Sequence, residues 1–170
     1  ANYVNVTLLT LVVPFLFGFL FFYFKEKYPY FSFIAVLFVP IYAVLNLTAY
    51  SLQISTVPAL ARAALDDTSL TAFTAQLIQA NPQSVVGYLN GLAYLVLGVP
   101  SVIIGILLIK EAKRLSGLFL ILNSAACFIG LIGYYLANPF LSNGIVLSGF
   151  FFFVSLIFLL IEFKKQKSTA

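Results

Sequence analysis

The residues best suited to chemistry in this chain are uncharged. Tyr42, Asn46, Tyr50 and Gln53 recur at helical spacing and so share one helix face. Asn90 and Tyr94 stand four apart with Tyr88 nearby; Asn123 and Cys127 stand four apart, with Tyr134 one heptad beyond. Phenols and amides donate and accept hydrogen bonds but carry no charge near neutral pH. Their chemistry is therefore recognition. A cavity lined by Tyr42, Asn46, Tyr50, Asn90, Tyr94, Asn123 and Tyr134 would suit a quinone ring, a lipid headgroup or another mostly apolar ligand. The plainer reading, which the sequence favours, is hydrogen bonding between helices combined with an aromatic belt.

Catalytic chemistry has little to work with. The chain has no His, Met or Trp and one cysteine, Cys127. Haem held by His or Met, a His-based metal centre and the commonest general base are excluded. Cys127 falls at mid-span and reads as a small core residue. Asp66 and Asp67 are the only adjacent carboxylates. Neighbours on a helix do not face one another, so they read as a solvated helix cap. No catalytic residue, metal or cofactor is expected.

The elements that must hold these side chains are membrane spans. The chain is 62% hydrophobic and 8% charged, against about 25% charged in a soluble domain. Its apolar stretches approach the roughly 20 residues that a helix needs to cross a hydrocarbon core. They predict an all-α integral membrane protein: a single bundle over residues 1–170 with spans near 3–24, 31–54, 84–109, 115–137 and 145–163. Pro14, Pro40 and Pro100 fall inside spans, where neighbouring helices make a kink tolerable. The connector 55–83 differs. Pro58 suits the first turn of a helix through Leu65. Asp67, Thr68 or Ser69 could cap a second helix through Ala80, stopped by Asn81-Pro82. Leu70, Phe73, Leu77 and Ile78 would form its apolar face, with Thr71, Thr74 and Gln79 turned away, giving a short amphipathic segment on the membrane surface.

Charge predicts orientation. Lys25 and Lys27, then Lys110, Lys113 and Arg114, then Lys164, Lys165 and Lys167 all flank one side of the five-span pattern; Arg62 alone lies opposite. Positive residues mark the cytoplasmic side. The N-terminus is then outside, the C-terminus cytoplasmic, the connector 55–83 outside, and the membrane the plasma membrane. The formal charge of +4 sits at span ends and forms no basic stripe with interleaved aromatics, so no nucleic acid is expected. No Asp, Glu, Lys, Arg or His is expected deep in a span; Glu162, one turn inside the terminal lysines, could reach the interface or pair with them. That disfavours proton or ion coupling.

Small residues predict where helices approach closely. Gly87 and Gly91 form a GxxxG pair continued by Gly98 and Gly105, and Ala126, Gly130, Gly133 and Ala137 make a similar stripe. The third and fourth spans are thus the expected tight pair. Spans one and five are bulky and aromatic throughout, with Phe150–Phe153 consecutive, and must present rings to lipid or to another subunit.

Two functions follow as expectations. The first is a non-catalytic accessory or structural subunit of a larger membrane complex, such as a respiratory or other energy-transducing one, with other membrane subunits or further copies of itself as partners in the bilayer. The second is a transporter or binding protein for a neutral or lipophilic molecule, using the Tyr/Asn cluster.

Overall fold

A computed structural model describes residues 2–81 and 83–168; Pro82 and the side chain of Lys167 lie outside the described residues. The described chain is helical and contains no strand. Five helices are long and apolar enough to cross a membrane. They are α1 (Asn2–Phe24), α2 (Pro29–Ser51) with its continuation, α5 (Val85–Lys110), α6 (Arg114–Tyr135) and α8 (Gly144–Ser168). Between α2 and α5 come a π-helical turn (Leu52–Thr56), α3 (Val57–Ala63) and α4 (Leu70–Leu77); α7 (Pro139–Ser142) precedes α8.

Helix starts follow local chemistry. Pro29 begins α2, where its missing N–H costs nothing. Ser84 is extended and its Oγ accepts from the Gly87 N–H at 2.8 Å, capping α5. Asn138 caps α7 by accepting from Phe140 and Leu141 N–H, so the link between the fourth and fifth spans contains one helical turn of its own. Lys113, the N-cap of α6, supplies no side-chain cap. Glu162 of α8 takes that role instead: its carboxylate accepts from the Leu115 N–H at 3.2 Å and from the Ser116 hydroxyl. A carboxylate at a helix N-terminus also meets the positive end of the helix dipole.

The second span runs further than predicted. Instead of breaking after Ile54, helix continues from Pro29 to Ala63, 35 residues in all, or about 50 Å at 1.5 Å per residue. Pro58 lies within this stretch. A proline inside an α-helix removes one hydrogen bond and clashes with the preceding turn. The π-helical turn just before it, with Val57 N–H bonded to Leu52 C=O, widens the helix there and carries it through. The separate first helix of the connector is therefore a continuation of α2.

The second connector helix also turns differently. Among its residues Thr74 is the buried one, flanked by half-buried Leu70 and Leu77, while Phe73 is exposed. Thr74 can face inward because its hydroxyl bonds the Leu70 carbonyl of its own helix at 2.8 Å. α4 ends at Leu77 rather than Ala80, because Ile78 is extended.

Each span packs on the next: α1 on α2, α2 on α5, α5 on α6, α6 on α8. The α5–α6 contact is the most extensive, and glycine makes it close. A Cβ on Gly105 would lie 2.8 Å from the Gly117 carbonyl oxygen, and one on Gly117 2.5 Å from that of Gly105. Gly98 meets Cys127 and Ser124, and Gly91 meets Leu131 and Tyr134. Gly130 of α6 lies against the backbone of Gly144 and Ile145, and Gly133 against Leu141 and Ser142. Ala126 is buried, and its carbonyl meets Gly144. Gly87 packs on the Asn81 carbonyl of the connector and not on another span.

The lysine-rich ends meet. Lys27 pairs with Glu111, and the buried Lys113 ammonium donates to the Tyr23 hydroxyl at 2.7 Å and stands over the Tyr23 and Phe163 rings. Three separate stretches of basic residues thus share one end of the bundle. Its flanks are apolar and exposed, with Leu8, Phe15 and Phe22 on α1 and Val146, Phe150 and Leu160 on α8.

Candidate functional site

α1 and α8 touch mainly near the lysine-rich end. Phe17 stacks on Phe152 at 6.4 Å between centroids, and Phe163 contacts Phe19 and Tyr23 at 5.9 and 5.0 Å. Towards the other end a cavity of about 240 Å³ lies between them. α1 contributes Leu9, Thr10 and Val13 to its walls, and α8 contributes Gly149, Phe152 and Leu156. Apart from Thr10, its polar groups come from the three central spans: Tyr42 and Tyr50 from α2, Tyr94 from α5 and Asn123 from α6.

The helical spacing of Tyr42, Asn46, Tyr50 and Gln53 does place all four inside, at 4%, 0%, 3% and 7% exposure. The partners of Tyr42, Tyr50 and Gln53 lie on other elements. The Tyr50 and Tyr94 hydroxyls share a hydrogen bond at 3.3 Å, and the Tyr42 and Tyr94 rings meet edge-on at 6.2 Å. Asn123 donates through Nδ2 to the Ser148 carbonyl of α8 at 2.8 Å, while its Oδ1 has no partner. Gln53 leaves the cluster and ties down the connector, bonding the Leu77 carbonyl and the Gln79 N–H.

The other predicted residues lie outside the lining. Asn46 sits beside the Tyr42 hydroxyl, but neither amide atom reaches a partner at hydrogen-bond geometry. Asn90 is buried with its Oδ1 unpartnered. Tyr134 is half-buried against Gly91. Polar groups without partners are costly in a dry interior. Among the described residues those within spans lie on α2, α5 and α6, and Gln79 Oε1 of the connector is a further one.

Thr10 and Gly149 escaped the sequence analysis, and Phe152, expected to face lipid or another subunit, is half-buried in the lining. Thr10 is buried and returns its hydroxyl to the Val6 carbonyl, so it reads as an ordinary helix residue. Gly149 carried a usable signal: it is the one glycine well inside the fifth span. A Cβ there would meet nothing within 4 Å, so it makes room rather than close packing.

The arrangement can hold a ligand by an apolar surface and a few hydrogen bonds. No Asp, Glu, Lys, Arg or Cys lines the cavity, so among the described residues it offers neither a nucleophile of low pKa nor a charged acid or base. No family model, curated protein or solved structure matches this chain.

Proposed function

We propose that this protein is a non-catalytic, multi-pass membrane protein that binds a neutral, lipophilic small molecule in the cavity between α1 and α8. One observation carries the reading: an apolar cavity whose polar lining is Thr10, Tyr42, Tyr50, Tyr94 and Asn123, with no charge among them. Such sites recognise a ligand by shape and a few directed hydrogen bonds. The lysine-rich end is cytoplasmic in this reading, by the rule that cations stay inside, which puts the N-terminus and the cavity in the outer half of the plasma membrane. Native mass spectrometry of protein reconstituted with total membrane lipid tests it. An adduct of a neutral lipophile, surviving mild detergent, is the expected result. A chain that stays bare overturns the proposal.

A second reading is an accessory subunit of a larger membrane complex. It is favoured by the outward rings, with Phe15 79% and Phe140 84% exposed. Lipid covers such rings as readily as a partner does. A native gel in mild detergent decides: migration at the mass of this chain alone counts against the subunit reading and leaves the binding reading intact.

A further inference from the structure

The walls of the cavity set its shape. They run along α1 from Val6 to Leu16, a length of about 15 Å at 1.5 Å per residue, and along α8 from Gly149 to Leu156. A volume of about 240 Å³ spread over that length makes a narrow slot, below the roughly 300–1,000 Å³ of pockets that enclose a drug-sized ligand. Its side is open. Leu9, Val12 and Phe153 line it and are 64%, 59% and 61% exposed on the flank of the bundle, which hydrocarbon covers in a bilayer. The slot begins little more than one turn from the starts of α1 at Asn2 and α8 at Gly144, near the end of the bundle opposite the lysines.

Little of the polar lining is within reach of an occupant. Thr10, Tyr42, Tyr50 and Asn123 are all buried. Asn123 commits its Nδ2 to Ser148, and its Oδ1 is enclosed by protein. Thr10 returns its hydroxyl to Val6. Tyr94 is half-buried, and its hydroxyl already shares a bond with Tyr50. A polar headgroup drawn inside would exchange water for almost no replacement hydrogen bonds, which is costly. A charged one would also meet no side chain of opposite charge in the lining. A hydrocarbon chain has no hydrogen bonds to lose, and it gains contact with Leu9, Val13, Phe152 and Leu156.

Building on the binding reading above, we infer that the slot takes one unbranched hydrocarbon chain of a membrane lipid, whatever its headgroup. The hydrocarbon enters sideways between α1 and α8, and the headgroup stays at the membrane surface. What enters is thus the neutral part of the molecule. Gly149 makes the room: it lines the slot, and a Cβ there meets nothing within 4 Å.

Fluorescence quenching in nanodiscs tests this. The protein has no tryptophan, so Phe152→Trp places a single indole in the half-buried wall and Phe153→Trp a single indole at the open flank. The quencher is phosphatidylcholine brominated at mid-chain, which acts on an indole only at near contact. It is expected to remove most of the Phe152→Trp emission. Adding Gly149→Leu should restore at least half of that emission, and Gly149→Ala less. Neither should lower the unfolding temperature, because the added atoms enter open space and both residues are better helix formers than glycine. Phe153→Trp should stay quenched in both backgrounds. The same brominated chain carried as phosphatidylglycerol or as a free methyl ester should quench Phe152→Trp equally at equal mole fraction. An unquenched Phe152→Trp, or quenching that Gly149→Leu leaves unchanged, overturns this inference and leaves the binding reading to its mass-spectrometric adduct. Quenching that depends on the headgroup overturns the inference and keeps the cavity as the site. A bare protein in the mass spectrometer overturns the binding reading and takes this inference with it, since a lipid that leaves with the bilayer is not held.

Discussion

Lys27 and Glu111, 84 positions apart, meet at 2.6 Å between Nζ and Oε1, and the Tyr28 hydroxyl donates to the same oxygen at 3.1 Å. This cluster ties the α1–α2 turn to the end of α5. The hydrogen bond from Lys27 holds the Glu111 carboxyl below its ordinary pKa, and the bond to Glu111 holds the Lys27 ammonium above its own. The Glu111 contribution is present above the unfolded carboxylate value of ~4.3 and is lost as pH falls through the lower folded value. The Lys27 contribution is present below the unfolded amine value of ~10.4 and is lost as pH rises through the higher folded value. Thermal unfolding in detergent across the acid range should show a steeper fall for the natural protein than for Glu111→Gln. High salt should narrow the difference, because Lys27 is 64% exposed. Parallel acid limbs for the two proteins would refute this.

Glu162 should act as the N-terminal cap of α6. Glu162→Ala removes the acceptor for Leu115 N–H and Ser116 Oγ and should cost about 0.5–2 kcal/mol, the usual range for a lost cap. Glu162→Gln keeps an acceptor oxygen and should lose only part of that. Equilibrium unfolding in mixed micelles measures both. Equal losses would mean that the charge alone matters.

The Gly105–Gly117 approach should tolerate no side chain. Gly117→Val puts a Cβ 2.5 Å from the Gly105 carbonyl oxygen and 3.0 Å from the Ile109 amide nitrogen. Backbone cannot swing away as a flexible side chain can, so the cost should exceed roughly 2 kcal/mol. Gly18→Ala is the control, since a Cβ there meets nothing within 4 Å; it should be neutral or stabilising by up to ~1 kcal/mol. The comparison is made by unfolding temperature.

Two alanines hold positive φ at helix ends, Ala112 at 60° and Ala137 at 49°. Each terminates a span: Lys113 N–H returns to the Leu108 carbonyl at 2.9 Å, and Asn138 N–H to that of Gly133 at 2.8 Å. Glycine suits this conformation better than alanine. Ala112→Gly and Ala137→Gly should each stabilise by up to about 1 kcal/mol, read as a raised unfolding temperature. A lowered one would count against the left-handed cap.

Gln53→Leu should loosen the connector without unfolding the bundle. Its side chain bonds Leu77 and Gln79, and α4 has few other anchors. Hydrogen exchange should rise across residues 70–81 and stay unchanged in α5.

The spans were legible because hydropathy and helix length are local properties. The burial of Tyr42, Asn46 and Tyr50 was legible because a 3.6-residue period states which residues share a face. What lay beyond reach depends on partners distant in sequence. Glu162 looked like a partner for its neighbouring lysines; its bond to Ser116 joins residues 46 apart. Thr74 looked outward because threonine is polar; its hydroxyl is satisfied within its own helix and leaves it free to be buried. Pro58 looked like a helix start, and the π-helical turn that absorbs it has no sequence period of its own. The cavity was the least visible feature, because it comes from the divergence of α1 and α8 while every residue in those helices remains an ordinary membrane residue.

Every other neighbouring pair of spans in this bundle is linked by a turn or connector; α1 and α8 are not. Prising them apart stretches no covalent tether. What resists is ring-on-ring dispersion, such as Phe17 against Phe152, at only ~0.5–1.5 kcal/mol per pair, together with Lys113, which bonds Tyr23 of α1 and stands over Phe163 of α8. The molecule is thus built like a book, with α5 and α6 as its spine and its two covers clasped at one edge by these side chains.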